Sequence, residues 1–378
     1  MSSFYDRPAL NLPLVEDDVA RRRPDAARAD PARRAKMRKN VRRLPARLVA
    51  AAAAAAVAGG LTAIAQQRSG VEPVPRTPYA APRTPWGHPD LQGTYSNDDE
   101  TGTPMERPAA FEGRTHDSLT PAELKRIVDE RNQRFVEGVS GDEFAGGLRP
   151  PTHLIFDTFD RRNRRAWLVV DPPDGKIPRR TDVQPRRQRG GISTNANPKG
   201  PFNSWLDMGL YDRCITRGIP ASMMPAGYGS RYDITQSPDS VVIRYEMIHE
   251  ARVIPLDGRP RSAQGTRKYL GDSRGWWEGD TLVVETTNFL PETAPQGATE
   301  QVKMTERFTA ASPDVVEWRV TFEDSNTWTG PWTFAMPLTK VDRTQQMFEY
   351  ACHEGNLAMR NILSAQRAEE KAAAGAAK

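Results

Sequence analysis

Two residues of this 378-residue chain have the type and setting of an acid and a base. Treated as one extended strand, residues 241–255 place Val241, Ile243, Tyr245, Met247, His249, Ala251 and Val253 on one face. Arg244, Glu246, Glu250 and Arg252 fall on the other. The apolar face should turn inward, carrying His249 and the Tyr245 hydroxyl as its polar groups. Residues 301–310 divide in the same way, with Val302, Met304, Glu306 and Phe308 inward, so Glu306 is the enclosed carboxylate. A histidine and a glutamate walled in by apolar side chains acquire displaced pKa values and can exchange protons with a bound molecule. Each also has a structural reading: a histidine hydrogen-bonded in the core, and a glutamate paired with an arginine.

Other polar groups could assist. Asp272 and Arg274 lie between Gly271 and Gly275, where they either pair and brace a turn or put Asp272 at the rim of a site. His353, Glu354 and Arg360 follow the last expected strand, and Arg360 is placed to meet Glu354 or an anionic substrate group. Tyr245, Trp276 and the inward Trp318 supply aromatic surface for a ligand. No Gly-rich phosphate loop, G-x-S-x-G elbow or H-E-x-x-H helix is present. The five histidines, His88, His116, His153, His249 and His353, have no metal-binding spacing, so neither a metal nor a cofactor is expected.

The elements that must position these groups are mostly strands. Residues 266–289 read as a hairpin turning at Glu278-Gly279-Asp280, with a β-branched run after it. Further strands are expected at 91–97, 153–159, 165–170, 231–236, 240–255, 301–310, 315–324, 332–340 and 347–352, most joined by short turns. Thr120-Pro121-Ala122-Glu123 is a capping box that starts a helix near 121–136, and 356–370 forms a terminal helix behind the N-cap Asn356. Successive strands with tight links make an antiparallel meander. The expected fold is therefore mainly β: an up-and-down barrel of the lipocalin or calycin type, with one inserted helix and a C-terminal helix. An open sheet or a two-sheet sandwich is the alternative.

The N-terminal part has a different character. Residues 1–65 hold 13 Lys and Arg against 6 Asp and Glu, whereas the remaining 313 carry 40 against 42. The formal net charge of +5 thus belongs to the leader, which removes the case for a nucleic-acid partner. Basic residues from Arg38 to Arg47, an apolar run over 48–58 and Ala63-Ile64-Ala65 are the layout of a signal peptide cut after Ala65, leaving no stable membrane span; an Ala-rich anchor is the competing reading. Residues 66–90 are a Pro-rich arm and 91–378 a single domain. Cys214 and Cys352 suit a disulfide in a periplasmic or secreted protein, the alternative being two buried thiols. The basic loop at 176–203, with Arg179, Arg180, Arg186, Arg187 and Arg189, is solvated surface or a seat for an anion.

TPWGHPDLQGTY (84–95), VVDPPDGKIP (169–178), EMIHEARVIPLDGRP (246–260), YLGDSRGWWEGDTLVVETTNF (269–289) and YACHEGNLAMRNIL (350–363) together resemble a large group of uncharacterised exported bacterial proteins. The resemblance implies export and assigns no catalytic residues. Trp276 stands where the shared motif leads one to expect arginine. Three function classes follow. One is an exported enzyme acting on a small hydrophobic or aromatic molecule by isomerase, lyase or hydrolase chemistry, with His249 and Glu306 as acid and base and His353 or Asp272 assisting. The second is a periplasmic protein that binds such a molecule unchanged, and the third an envelope interaction protein.

Overall fold

A computed structural model describes residues 79–100, 102–140, 165–183, 200–225, 229–263, 265–341 and 347–376, all within the compact unit Ser69–Lys378. The leader, the start of the Pro-rich arm, the expected strand at 153–159 and Arg186, Arg187 and Arg189 lie outside the described residues. Ten strands form one antiparallel sheet: β1 (Gly93–Ser96), β2 (Val169–Asp171), β3 (Arg231–Gln236), β4 (Ser240–Tyr245), β5 (Ala251–Pro255), β6 (Asp272–Glu278), β7 (Thr281–Thr287), β8 (Lys303–Ser312), β9 (Val315–Glu323) and β10 (Trp332–Lys340). Two helices accompany it, α1 (Pro121–Ser140) and α2 (Ala358–Ala376). Neither is long and apolar enough to cross a membrane.

The order across the sheet is β5-β4-β3-β1-β10-β9-β8-β7-β6, with β2 paired beside β10. Two meanders, β3 to β5 and β6 to β10, are therefore joined by the short N-terminal strand β1, whose Tyr95 sits opposite both Tyr232 and Lys340. Strands β5 and β6 follow one another in the chain yet occupy the two ends of the sheet. They come close, and the sheet curls until they face each other across a seam with no ladder between them. The nine strands of this path alternate in direction, so β5 and β6 run parallel to each other. The barrel expected from the meander is not closed.

Side chains close the seam instead. A Cβ added at Gly275 of β6 would lie 2.7 Å from Leu256 Cδ2 and 2.9 Å from Ile254 Cγ2, so the far side packs directly on this backbone. Arg261 Nη1 donates to the Asp272 carbonyl at 2.7 Å and Arg274 Nη1 to the Ser273 carbonyl at 2.6 Å, so two arginines hold the start of β6. Gly275→Ala should destabilise the protein by about 1–3 kcal/mol through overpacking, and adding Leu256→Ala should recover part of that loss. Urea unfolding of the single and double variants measures both effects.

The enclosed face carries the core. Trp318, Val320 and Phe322 of β9, Trp332, Phe334 and Met336 of β10, and Met304 and Phe308 of β8 are all completely or almost completely buried. Cross-strand register stacks them: Phe308 faces Trp318, and Phe322 faces Trp332. The arm is fastened outside the sheet, where Arg83 pairs with Asp280 in the β6–β7 turn and the His88 ring lies 5.3 Å from Trp277.

Helix α1 begins at the expected capping box, with Thr120 N donating to Glu123 Oε2 at 2.9 Å and Glu123 N to Thr120 Oγ1 at 3.3 Å. It packs through Ile127 and Leu124 on Trp167 and Phe111, a small core separate from the main one. His116 belongs to this cluster, its ring 4.1 Å from that of Trp167 and its Nε2 2.8 Å from the Trp167 carbonyl. Burial pushes its pKa from 6.5 down to about 4. Since the folded value lies below the unfolded one, the unfolded chain takes the proton first as pH falls. The associated stability is complete above about pH 6.5 and is lost as pH drops toward 4. His116→Gln should reduce proton uptake on unfolding at pH 5 by about one, read from the pH dependence of the urea midpoint.

Two expectations are corrected here. Residues 347–352 form no strand among the described positions. The long strand expected at 240–255 is a hairpin of β4 and β5, and that difference changes the site.

Candidate functional site

The chain reverses between β4 and β5 with no glycine, proline or asparagine to mark the turn. Tyr245 N donates to the Glu250 carbonyl at 2.8 Å, and Ile248 (φ 62°) and His249 (φ 46°) both adopt left-handed conformations inside the loop. Such a conformation is uncommon for histidine and rare for a β-branched residue, so a pattern-based reading runs straight through it. The consequence is a change of phase. His249 emerges exposed, its Nδ1 3.0 Å from the Tyr350 carbonyl, and Val253 is 58% exposed instead of inward. Arg252, expected in solvent, is buried at 2%.

Glu306 meets it from β8. The carboxylate faces inward as its alternation requires, fully buried, with Oε2 2.6 Å from Arg252 Nη2. Trp318 Nε1 donates to its other oxygen at 3.2 Å. Arg252 also donates through Nε to Ser273 Oγ at 3.0 Å and through Nη2 to Thr286 Oγ1 at 2.7 Å, and those two hydroxyls are 3.0 Å apart. Arg252 thereby fixes β5 to β6 and β7 across the seam. The core holds a five-residue polar cluster built on a buried ion pair.

The cluster leaves hydrogen-bonding capacity unused. Among the described residues, Arg252 Nη1 and the hydroxyls of Tyr245 and Tyr232 are buried with no well-aligned hydrogen-bond partner, although Arg252 and Tyr245 lie within side-chain reach of each other. The two tyrosines are directly opposite on β4 and β3, and Tyr95 of β1 continues the row. Only Tyr95 has a clear partner, the Leu91 carbonyl at 2.9 Å. Burial raises the pKa of Tyr245 and Tyr232, and Tyr245 lies close enough to Arg252 to feel its charge, so both hydroxyls remain protonated and can donate.

At the seam a cleft of about 390 Å³ opens between β5 and β6. Arg252 and Ser273 contribute to its lining, together with the exposed Val253 and the cations Arg259, Lys268 and Arg274. Arg252 therefore belongs both to the buried cluster and to an accessible depression.

The remaining expected site residues are spread out. Asp272 is 3% exposed, beside the same cleft, and receives Arg274 Nη1 at 2.8 Å, Ser262 N at 2.7 Å and Lys268 Nζ at 3.4 Å. Burial alone would raise its pKa, but the Ser262 amide, Arg274 and Lys268 outweigh it and hold the carboxyl below its ordinary value. The bracing pair of Asp272 and Arg274 is the reading that the geometry carries. Trp276 is 40% exposed and donates to Glu278 Oε1 at 2.9 Å. His353, Glu354 and Arg360 are exposed around the start of α2. Trp318, Tyr245 and Glu306 are together in the interior, whereas His249 shares no site with Glu306, so the expected acid and base do not converge. Cys214 and Cys352 are disulfide-bonded. Among the described residues, no three His, Cys, Asp or Glu side chains are grouped to hold a metal ion.

Sequence reasoning missed Arg252, Ser273, Thr286 and Tyr232. A break in phase between Glu246 and Glu250, two acids flanking an otherwise strand-like run, is the one signal that could have found Arg252.

No protein-family model matches this chain, and no curated protein does. Among solved structures it is similar to a mutant of the fluorescent protein UnaG, at 13% identity and a TM-score of 0.20, covering 35% of this chain and 86% of that one.

Proposed function

We propose that this is an exported small-molecule-binding protein built on an incompletely closed barrel of the lipocalin type, and that it holds its ligand at the β5–β6 seam without transforming it. One observation supports the reading above others: the seam cleft of about 390 Å³ gathers the cations Arg259, Lys268 and Arg274 beside Arg252 and Ser273 of the polar cluster. Cations gathered at one cleft repel one another, and a ligand acceptor would offset that cost. Binding suits this arrangement better than acid–base catalysis. Glu306 is committed to Arg252 and Trp318, and the exposed His249 is not available to it. Export accords with the leader and with the Cys214–Cys352 bond.

Native mass spectrometry of the protein purified from its own host tests the reading. The expected result is a small-molecule adduct that dissociates on denaturation. A protein that arrives without an adduct, and takes up none from a metabolite extract of that host, would overturn it.

A further inference from the structure

Resting on the binding reading above, we propose that the ligand is an amphiphile with a singly charged oxyanion, selected by the charge of the seam cleft. Four cations line the cleft, Arg252, Arg259, Lys268 and Arg274, against the single carboxylate of Asp272. Their commitments differ. Arg274 is saturated: besides Asp272 and the Ser273 carbonyl it reaches the Arg259 and Pro260 carbonyls at 3.1 and 2.7 Å. Arg252, 2% exposed, gives Nε and Nη2 to the buried cluster and lies against the Tyr245 hydroxyl, so it is committed to the interior. Arg259 gives Nε and Nη2 to Asp257, with its side chain 57% exposed. Lys268, 49% exposed, reaches Asp272 at 3.4 Å and the Ser262 hydroxyl at 3.2 Å.

Two half-exposed cations with remaining donors, Arg259 and Lys268, therefore border a space whose own carboxylate is already satisfied. Pairing Arg252 with Glu306, Arg274 with Asp272 and Arg259 with Asp257 leaves Lys268 as the surplus charge, which matches a monoanion. A neutral polar group would accept hydrogen bonds here without relieving the repulsion among the cations, whereas an oxyanion does both. The other wall is apolar. Val253, 58% exposed, lines it with Pro255 and Leu270, and gives a hydrocarbon tail a surface to cover.

Calorimetric titration of the full chain with decanoate, decanol and acetate separates head from tail. Decanoate should bind saturably, more weakly as salt rises, and about tenfold more tightly than either control. The double variant Arg259→Gln, Lys268→Gln removes two half-exposed cations, should keep the wild-type Tm, and should weaken decanoate binding about tenfold. Decanol binding as tightly as decanoate, or an unchanged affinity in the double variant, would overturn selection by charge while leaving the binding reading intact. Acetate binding as tightly as decanoate would overturn the amphiphile. If none of the three binds, the molecule copurified from the host decides: an anionic amphiphile upholds the proposal and a neutral or cationic one overturns it. Absence of any adduct or uptake removes the binding reading itself.

Discussion

Arg252→Met is expected to lower the free energy of unfolding by about 3–5 kcal/mol, because it leaves the Glu306 carboxylate in the core without its counter-charge. Both side chains are almost completely removed from water, at 2% and 0% exposure, so solvent screens little of their interaction. The size of the effect reflects stranding one partner, and the net worth of the pair is smaller. Adding Glu306→Gln should therefore recover most of the loss. Glutamine removes the charge and keeps an acceptor for Trp318 Nε1, which would otherwise become a buried donor without a partner at about 1–3 kcal/mol. Ser273 and Thr286 retain each other. Urea unfolding of the two single variants and the double variant completes the cycle. A loss below about 1 kcal/mol for Arg252→Met would show the pair to be hydrated, and would remove the buried cluster as the feature that fixes the seam.

Replacing both cysteines by serine is expected to cost about 2–5 kcal/mol, with the upper part of that range favoured by loop length. The bond joins residues 138 apart, so its loss frees the unfolded chain to explore far more conformations. Among the described residues, the other ties of this segment are hydrogen bonds. Helix α2 buries no side chain completely and is held by Gln366 and Arg367, which bond the Phe202 backbone at 3.1 Å each. Asn356 Nδ2 adds a contact to Cys214 itself at 3.3 Å. Hydrogen exchange should therefore show α2 losing protection in the serine variant before the sheet does. Simultaneous loss in both would mean that α2 is integral to the sheet's cooperative unit.

Both predictions concern links that join distant parts of the chain, and they were unequally visible in the sequence. The disulfide was legible because the two cysteines of the sequence have one economical pairing. The ion pair was half legible. Glu306 lies in a strand whose alternation runs unbroken from Lys303 to Phe308, so counting by twos places it correctly. Arg252 lies beyond a reversal made by Ile248 and His249, and a period-two count carried across it puts every later residue on the wrong face. One missed turn thus moved His249 into the core and Arg252 out of it, and created an acid–base pair that the fold does not contain.

By itself the sequence determined the local and periodic features of the described chain: the capped helix at Thr120, the hairpin at Gly279, the strands from 301 to 340 and the aromatic inward face. These depend on residue type and short-range spacing, which act over one turn or one strand pair. Only the tertiary structure decided that β1 joins two meanders, that β5 and β6 meet at a seam, and that Arg252 crosses it to Glu306. Those outcomes depend on which edges meet after the sheet has curled. No local propensity encodes that, because the deciding energies, a desolvated ion pair and the packing against Gly275, arise between residues that become neighbours only in the folded chain.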